Sequence, residues 1–228
     1  MEKIVLSTAV EATTPEPSAT HSAYLALRKM ILAGDLKPGA KLKIETLRKT
    51  LDTGASPIRE ALSLLTSDQL VERIDQRGFK TAAASKANFE EILHLRCALE
   101  SMALRMSIER ANDAWEENIV LAHHRMVRAQ GETTEVFEAH HRAFHMALLE
   151  NCGSPILLRM CGQLYDLNIR YRFLANRSQN YTKRDVSGEH AKILEACIDR
   201  NADLVTERLC DHYTKTGAFL TGLFTNAD

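Results

Sequence analysis

Four histidines in the C-terminal half of the chain have a spacing that suits metal chemistry. His141 and His145 are four residues apart, so on a helix both rings project from one face. His190 and His212 lie eleven residues before and after Asn201. If the chain turns back there between antiparallel helices, the two rings come level. One pair from a single helix and one residue from each of two others is a workable way to converge ligands inside a bundle. Imidazole suits zinc, nickel, iron or copper. Each observation also has a bland reading: paired histidines at this spacing often decorate a solvated helix, and symmetry about a turn arises by chance. A hydrolytic metal site is poorly supported, because no Glu sits between the paired ligands in the manner of HExxH and no nucleophile motif is present. Glu189, beside His190, is the nearest acid by sequence.

The segments that must carry these residues read as helices. Asn88 with Glu91 forms a capping-box-like start, and Ile92, Leu95, Leu99, Met102 and Met106 continue at helical spacing to about Arg110. Asn112 caps the next helix, from Trp115 to about Ala129. A third runs from about Thr134 to Asn151 and ends at Gly153. Ser154–Pro155 opens a fourth, to about Ala175. Two more, about Asp185–Arg200 and Ala202–Leu223, are separated by Asn201. Six helices with short connections predict an all-helical bundle over residues 88–226, large enough for its own core.

Residues 42–81 follow a different pattern. Ile44, Leu47 and Leu51 mark a short helix over Ile44–Leu51; Asp52–Thr53–Gly54 breaks it, and a second helix is expected from Ser56–Pro57, with Ser56 as its cap and Pro57 in its first turn. Ile58, Leu62 and Leu65 form the inward face of that helix, while Arg59, Glu60 and Ser63 are left outside. Val71–Ile74 and Phe79–Thr81, joined through Asp75–Gln76–Arg77–Gly78, predict a wing. Two helices joined by a tight turn present the second to a DNA major groove. The candidate DNA contacts are Arg59, Ser56 and Ser63 on that helix, Lys43 and Arg48 before it, and Arg77 and Gly78 in the wing. The fold class is therefore mainly α: an N-terminal winged helix-turn-helix over residues 21–84, preceded by a flexible arm over 1–20 rich in Thr, Pro, Ser and Ala, and followed by the helical bundle.

Charge agrees with this division. Residues 20–84 carry 11 Lys and Arg against 7 Asp and Glu, which leaves 18 against 23 elsewhere in a chain of formal net charge −1. A basic end and an acidic body suit a DNA-facing domain joined to a sensing one. The five cysteines show no CxxC spacing and read as reduced core residues of a cytoplasmic protein. No apolar run approaches a membrane span.

Three separated motifs, LKPGAKL (36–42), SPIREAL (56–62) and RGFKTA (77–82), make the region from Tyr24 to Ala82 resemble the N-terminal domain of GntR-family bacterial transcription regulators. The resemblance implies a double-stranded operator and binding as a homodimer. One departure is clear: Gly54–Ala55 stands where family members commonly carry Ser-Arg, the Arg reading a guanine, whereas Arg59 is retained. LRCALE (95–100), HRAFHMALLENCGSPIL (141–157) and EHAKILEACIDRNADLVTERLCDHY (189–213) resemble the FCD effector domain of the FadR branch, most closely the carbon-starvation-induced regulator (CsiR-like) group. That likeness implies a divalent metal, zinc or nickel. His145, His190 and His212 match the family's three histidines, and His141 stands in the place of its Asp. Four neutral imidazoles leave the charge of a divalent ion uncompensated, which favours an anionic ligand such as a small organic acid. Arg96 occupies the position of the family's effector-domain Arg, but it also has Glu100 four residues on for an ordinary helix ion pair. Asn168 and Arg172 are weaker effector candidates, because an Arg-rich helix is usually a solvated face. The expectation is a ligand-responsive transcription regulator acting by repression, and not an enzyme. A metal-sensing regulator is the alternative, and a helical-bundle metalloenzyme is less favoured.

Overall fold

The computed structural model describes residues 18–75, 77–176 and 185–224. The expected arm lies outside these up to residue 17, as do Gln76 of the wing and the last residues of the expected bundle. Ser18–Thr20 belongs to a helix start and not to an arm. The Ser18 side chain accepts a hydrogen bond from the His21 amide at 3.2 Å, satisfying one of the amides that every helix start leaves unpaired. The helix that follows, α1 (Ala19–Leu32), buries Ala23, Leu27 and Ile31.

The helix-turn-helix comprises α2 (Ile44–Thr50) and α3 (Ala55–Ser67). α3 begins one residue earlier than the sequence suggests. Gly54 occupies the capping position without a side-chain bond, and Ser56 instead donates to Glu60 at 3.1 Å. Pro57 remains within the first turn, where an amide would have no partner in the helix. Ile58, Ala61, Leu62 and Leu65 are fully buried against Leu27 and Ile31 of α1. The wing is a three-stranded antiparallel sheet of β1 (Lys41–Leu42), β2 (Val71–Ile74) and β3 (Gly78–Thr81), in the order β1-β3-β2. Arg73 pairs with Phe79 and Val71 with Thr81; this register turns Val71, Phe79 and Thr81 inward, as period-two alternation requires. The two-residue β1 was not legible in the sequence. Its position is pinned by Thr81, whose hydroxyl accepts from the Ala40 amide at 2.9 Å and donates to the Lys37 carbonyl at 2.5 Å.

The bundle comprises α4 (Lys86–Glu109), α5 (Asp113–Arg128), α6 (Thr134–Leu149), α7 (Pro155–Asn176), α8 (Val186–Ile198) and α9 (Ala202–Phe224). α4 is capped by Ser85, whose hydroxyl accepts from the Asn88 amide at 3.2 Å, so Asn88 is inside the helix and not its cap. Asn112 does cap α5, accepting from the Trp115 amide at 2.9 Å. A 3-10 turn, Glu150–Cys152, leads from α6 to Gly153, whose φ of +71° fits glycine. Asn201 caps α9 through the Leu204 amide at 3.0 Å, which fixes the reversal between α8 and α9.

α7 joins the two halves. Its Tyr165, Leu167, Ile169 and Tyr171 share the apolar cluster of the winged domain. Arg170 donates to the Ala82 carbonyl, and the Tyr171 hydroxyl donates to Asn88 at 2.7 Å. Asp166 lies between Arg28 of α1 at 2.5 Å and Arg142 of α6 at 3.0 Å. No described helix is long and apolar enough to cross a membrane.

Candidate functional site

α6, α8 and α9 bring the four histidines together in the bundle interior. All four are buried, and one ring nitrogen from each lies within 4.8 Å of all the others. The Nε2 atoms of His141 and His145 are 3.2 Å apart. Two nitrogens bound at zinc–imidazole distances in tetrahedral geometry are about 3.3 Å apart, so the α6 pair already has the separation that a shared ion requires.

The outward-facing nitrogens decide whether these atoms can act as ligands. His212 Nδ1 is 2.7 Å from Glu189 Oε2. A carboxylate only accepts, so the ring proton sits on Nδ1 and the Nε2 lone pair is left for a metal. His145 reaches the same state through a longer chain. Tyr213 donates its hydroxyl proton to Glu100 Oε2 at 2.5 Å, which leaves its oxygen to accept the His145 Nδ1–H at 2.9 Å. Glu100 is itself held by the Arg96 guanidinium at 2.6 Å. Burial pushes the Tyr213 phenol well above its ordinary value, with Glu100 adding to the rise, so this hydroxyl keeps its proton. His141 Nδ1 lies 2.5 Å from the Tyr165 hydroxyl.

Burial is the largest cause holding the His141 and His145 pKa values well below that of a free histidine, reinforced for His141 by Arg172 and for His145 by the other rings. Both imidazoles are neutral at pH 7, the form that binds metal. The charge inventory differs from the one the sequence suggests. Glu189 places a carboxylate directly behind His212, so a divalent ion here is not surrounded by neutral groups alone. On the other side, Arg172 Nη1 sits 3.0 Å from the His141 ring nitrogens, and its charge is offset by buried Glu138 at 2.9 Å. Burial raises the Glu138 carboxyl while Arg172 lowers it.

The effector candidates converge on the same place. Arg96, Asn168 and Arg172 line one small cavity with Leu93, His141, His212, Tyr213 and Thr216. The expectation that the Arg-rich stretch of α7 is solvated is wrong: Arg170 and Arg172 are 3% and 7% exposed, because α7 crosses the centre of the molecule. Arg96 makes the helix ion pair with Glu100, donates to Asn168 at 3.0 Å, and stacks over the Tyr213 ring at 4.0 Å. The cavity has room for about one water, so an organic acid enters only if side chains move. Tyr165, Tyr213 and Glu138 were not legible as site residues. Tyr213 directly follows His212 in sequence, but nothing local shows that its hydroxyl reaches across to α4 and α6.

At the other end, Ser56, Arg59 and Ser63 lie on the exposed face of α3, and Lys43, Arg48, Arg77 and Gly78 are also exposed. Arg48 pairs with Glu45 at 3.1 Å, and the Ser63 hydroxyl donates to the Arg59 carbonyl at 3.0 Å. Gly78 has a φ of +98° with open space around it, so the backbone conformation, and not crowding, is what favours glycine in the wing turn.

Comparison with known proteins agrees with both halves. The pattern of bacterial regulatory proteins of the gntR family matches residues 19–80, and the FCD domain pattern matches residues 91–215. The chain is 29% identical to the HTH-type transcriptional repressor GlaR of Escherichia coli (strain K12), over 83% of this chain and 90% of that protein. It is 33% identical to the HTH-type transcriptional regulator BphR of Paraburkholderia xenovorans (strain LB400), over 86% and 82%. The fold matches the solved structure of E. coli McbR/YncC with a TM-score of 0.79 at 23% identity, covering 91% of this chain and 99% of that one. The chain therefore belongs to the GntR family of bacterial transcription regulators, with a winged helix-turn-helix followed by an FCD domain, and is not an enzyme.

Proposed function

We propose that this regulator is a homodimeric repressor that holds zinc or nickel on His141, His145, His190 and His212 and senses a small organic acid beside the ion. The observation that carries the reading is the set of four buried imidazoles, two of which have their Nδ1 protons fixed outward by Glu189 and Tyr213. When bound, the ion supplies a Lewis-acidic anchor for an anionic oxygen. Arg96 and Arg172 add guanidinium forks suited to a carboxylate, with Asn168 orienting Arg96. Both arginines are already paired, with Glu100 and Glu138, so an incoming acid competes with internal carboxylates and its binding shifts their partners. Similarity to the transcriptional repressor GlaR supports repression, and the resemblance to the carbon-starvation-induced group suggests a small dicarboxylic or amino acid as the signal.

The winged domain reads double-stranded operator DNA through α3, with Arg59, Ser56 and Ser63 toward the groove and Lys43, Arg48, Arg77 and Gly78 toward the backbone. Exposed Leu95 and Met102 on α4 and Ile156 and Met160 on α7, helices that pack together, offer an apolar face for a second copy. Asp166 supports coupling, because it touches Arg142, the neighbour of His141, and Arg28 of the winged domain. A ligand changes operator affinity only if it binds the two arrangements unequally, and about 1–3 kcal/mol would be ordinary. A small soluble regulator of this kind acts in the cytoplasm.

The test is a thermal-shift screen against mono- and dicarboxylates, with and without a chelator. A stabilising acid whose effect disappears with the chelator supports a metal-anchored effector. A shift from zinc or nickel alone, with no acid effective, moves the reading to metal sensing, which the one-water cavity favours. No response to either metal or acid refutes the proposal.

A further inference from the structure

Arg96, Arg170 and Arg172 are all buried, but only two of them have carboxylate partners. Arg96 pairs with Glu100, and Arg172 with Glu138. Arg170 makes no ion pair among the described residues. Its guanidinium donates to the Ala82 carbonyl, and its Nε is buried without a partner. The acid that acts on it, Glu72, is already engaged: one carboxylate oxygen holds Lys80 at 2.8 Å and the other accepts the Ala83 amide at 3.3 Å. Burial works against the Arg170 charge, and Tyr171 and Glu72 offset only part of that effect. A cation held out of water without an anion is costly. Arg170 also lines a cavity of about 680 Å³ at the junction of the two domains, within the usual size of a small-molecule site. The winged domain contributes Val71 and Arg73 to its walls, the bundle contributes Ile92, Leu167 and Tyr171, and Ala83 comes from the segment that joins them. This cavity shares no lining residue with the small one beside the histidines.

We propose that the domain junction is a binding site for an organic anion, anchored on Arg170 and independent of the histidine cluster. The walls define the ligand chemistry. A guanidinium fork receives two oxygens of a carboxylate or phosphate, and exposed Arg73 adds positive charge to the same cavity. Val71, Ile92 and Leu167 with the Tyr171 ring suit an apolar body, so the ligand is an anionic head on an apolar or aromatic frame. The bond to the Ala82 carbonyl fixes part of the Arg170 orientation before a ligand arrives, which lowers the ordering cost of binding. The location ties occupancy to the wing. The Ala82 amide donates to the Leu70 carbonyl at 3.0 Å, and the Tyr171 hydroxyl donates to Asn88 of α4 at 2.7 Å. A ligand in this cavity therefore touches the winged domain, the joining segment and the bundle together. It favours whichever arrangement of the two domains presents all three to it.

The test is isothermal titration calorimetry of the full-length protein with benzoate and with phenyl phosphate, in the presence of a chelator that removes any response needing an ion at the histidines. Inorganic phosphate presents the anionic head alone, and benzyl alcohol the body alone. The expected result is saturable binding of benzoate or phenyl phosphate at a single site per chain, with the tighter of the two naming the head group and both controls weaker. Arg170→Gln removes the fork and should weaken binding about tenfold or more, because hydrogen bonds to a charged group are worth at least that in affinity. That variant also loses the support of the Ala82 carbonyl. Should it fail to fold, Ala83→Phe, at an exposed position lining the cavity, fills the space and should abolish binding. No saturable binding of either aromatic anion would overturn the proposal. So would undiminished affinity in folded Arg170→Gln or Ala83→Phe, and equal affinity for inorganic phosphate would overturn the organic ligand.

Discussion

Tyr213→Phe removes one oxygen and tests the proton chain on which the metal reading depends. In the wild type this oxygen accepts the His145 Nδ1–H at 2.9 Å while its own proton goes to Glu100. Without it, the Nδ1–H of a fully buried ring loses its acceptor, and the tautomer that offers Nε2 to a metal loses its support. Outer-shell partners of this kind are worth roughly 10–100-fold in metal affinity. At an ion concentration 100 times the wild-type dissociation constant, binding stabilises the wild type by about 2.7 kcal/mol. The same concentration stabilises the variant by about 1.4 kcal/mol for a tenfold loss and about 0.4 kcal/mol for a hundredfold loss. For a protein of this size, 1 kcal/mol moves Tm by about 2–4 °C, so a metal-induced rise of about 5–11 °C should shrink to about 1–6 °C. The metal-free variant also loses two buried hydrogen bonds, to Glu100 and from His145, each worth about 1 kcal/mol, so the readout is the metal-induced difference and not Tm itself. Differential scanning fluorimetry with zinc and nickel titrations, beginning from chelator-stripped protein, measures it. An undiminished shift in Tyr213→Phe would refute the proton chain, and no shift in the wild type would refute the metal site.

His190→Ala should lower the metal retained through gel filtration, read by elemental analysis, while leaving operator-binding competence of the winged domain; unchanged stoichiometry would remove His190 from the ligand set. Arg59→Ala should weaken operator binding by about 1–3 kcal/mol if the guanidinium reads a base, and an equal loss on random DNA would make it a phosphate contact. The metal-free protein should lose stability as pH falls below the ordinary histidine value of about 6.5. His141 and His145 stay neutral when folded but gain protons when unfolded, so each contributes a slope of up to about 1.4 kcal/mol per pH unit. Urea titrations between pH 5 and 8 with chelator present read this slope, and a flat profile would mean that these rings are not held neutral. Asp166→Asn should leave Tm nearly unchanged, since its ion pairs are partly solvated, but reduce any metal- or acid-induced change in operator affinity; an unaltered change would take Asp166 out of the coupling.

What the sequence determined by itself is local. Ile58, Leu62 and Leu65 define the inward face of α3 because helical periodicity alone places them together, and the wing follows from alternation around Gly78. The four-residue spacing of His141 and His145 puts both rings on one face in any helix, and the equal offsets of His190 and His212 from Asn201 need only an antiparallel return. Helix starts were less legible, since Gly54 and Ser85 took positions assigned to Ser56 and Asn88; several polar residues near a boundary compete, and packing chooses among them. Tertiary structure alone decided that α6 meets α8 and α9 ring to ring, that α7 crosses the centre and buries Arg172, and that Tyr213 spans from Glu100 to His145. Those contacts join residues 31 to 113 positions apart. Periodicity tells which face of a helix is apolar but carries no information about which other helix covers it, or how far each is rotated, and on that rotation the direction of every buried ring proton depends.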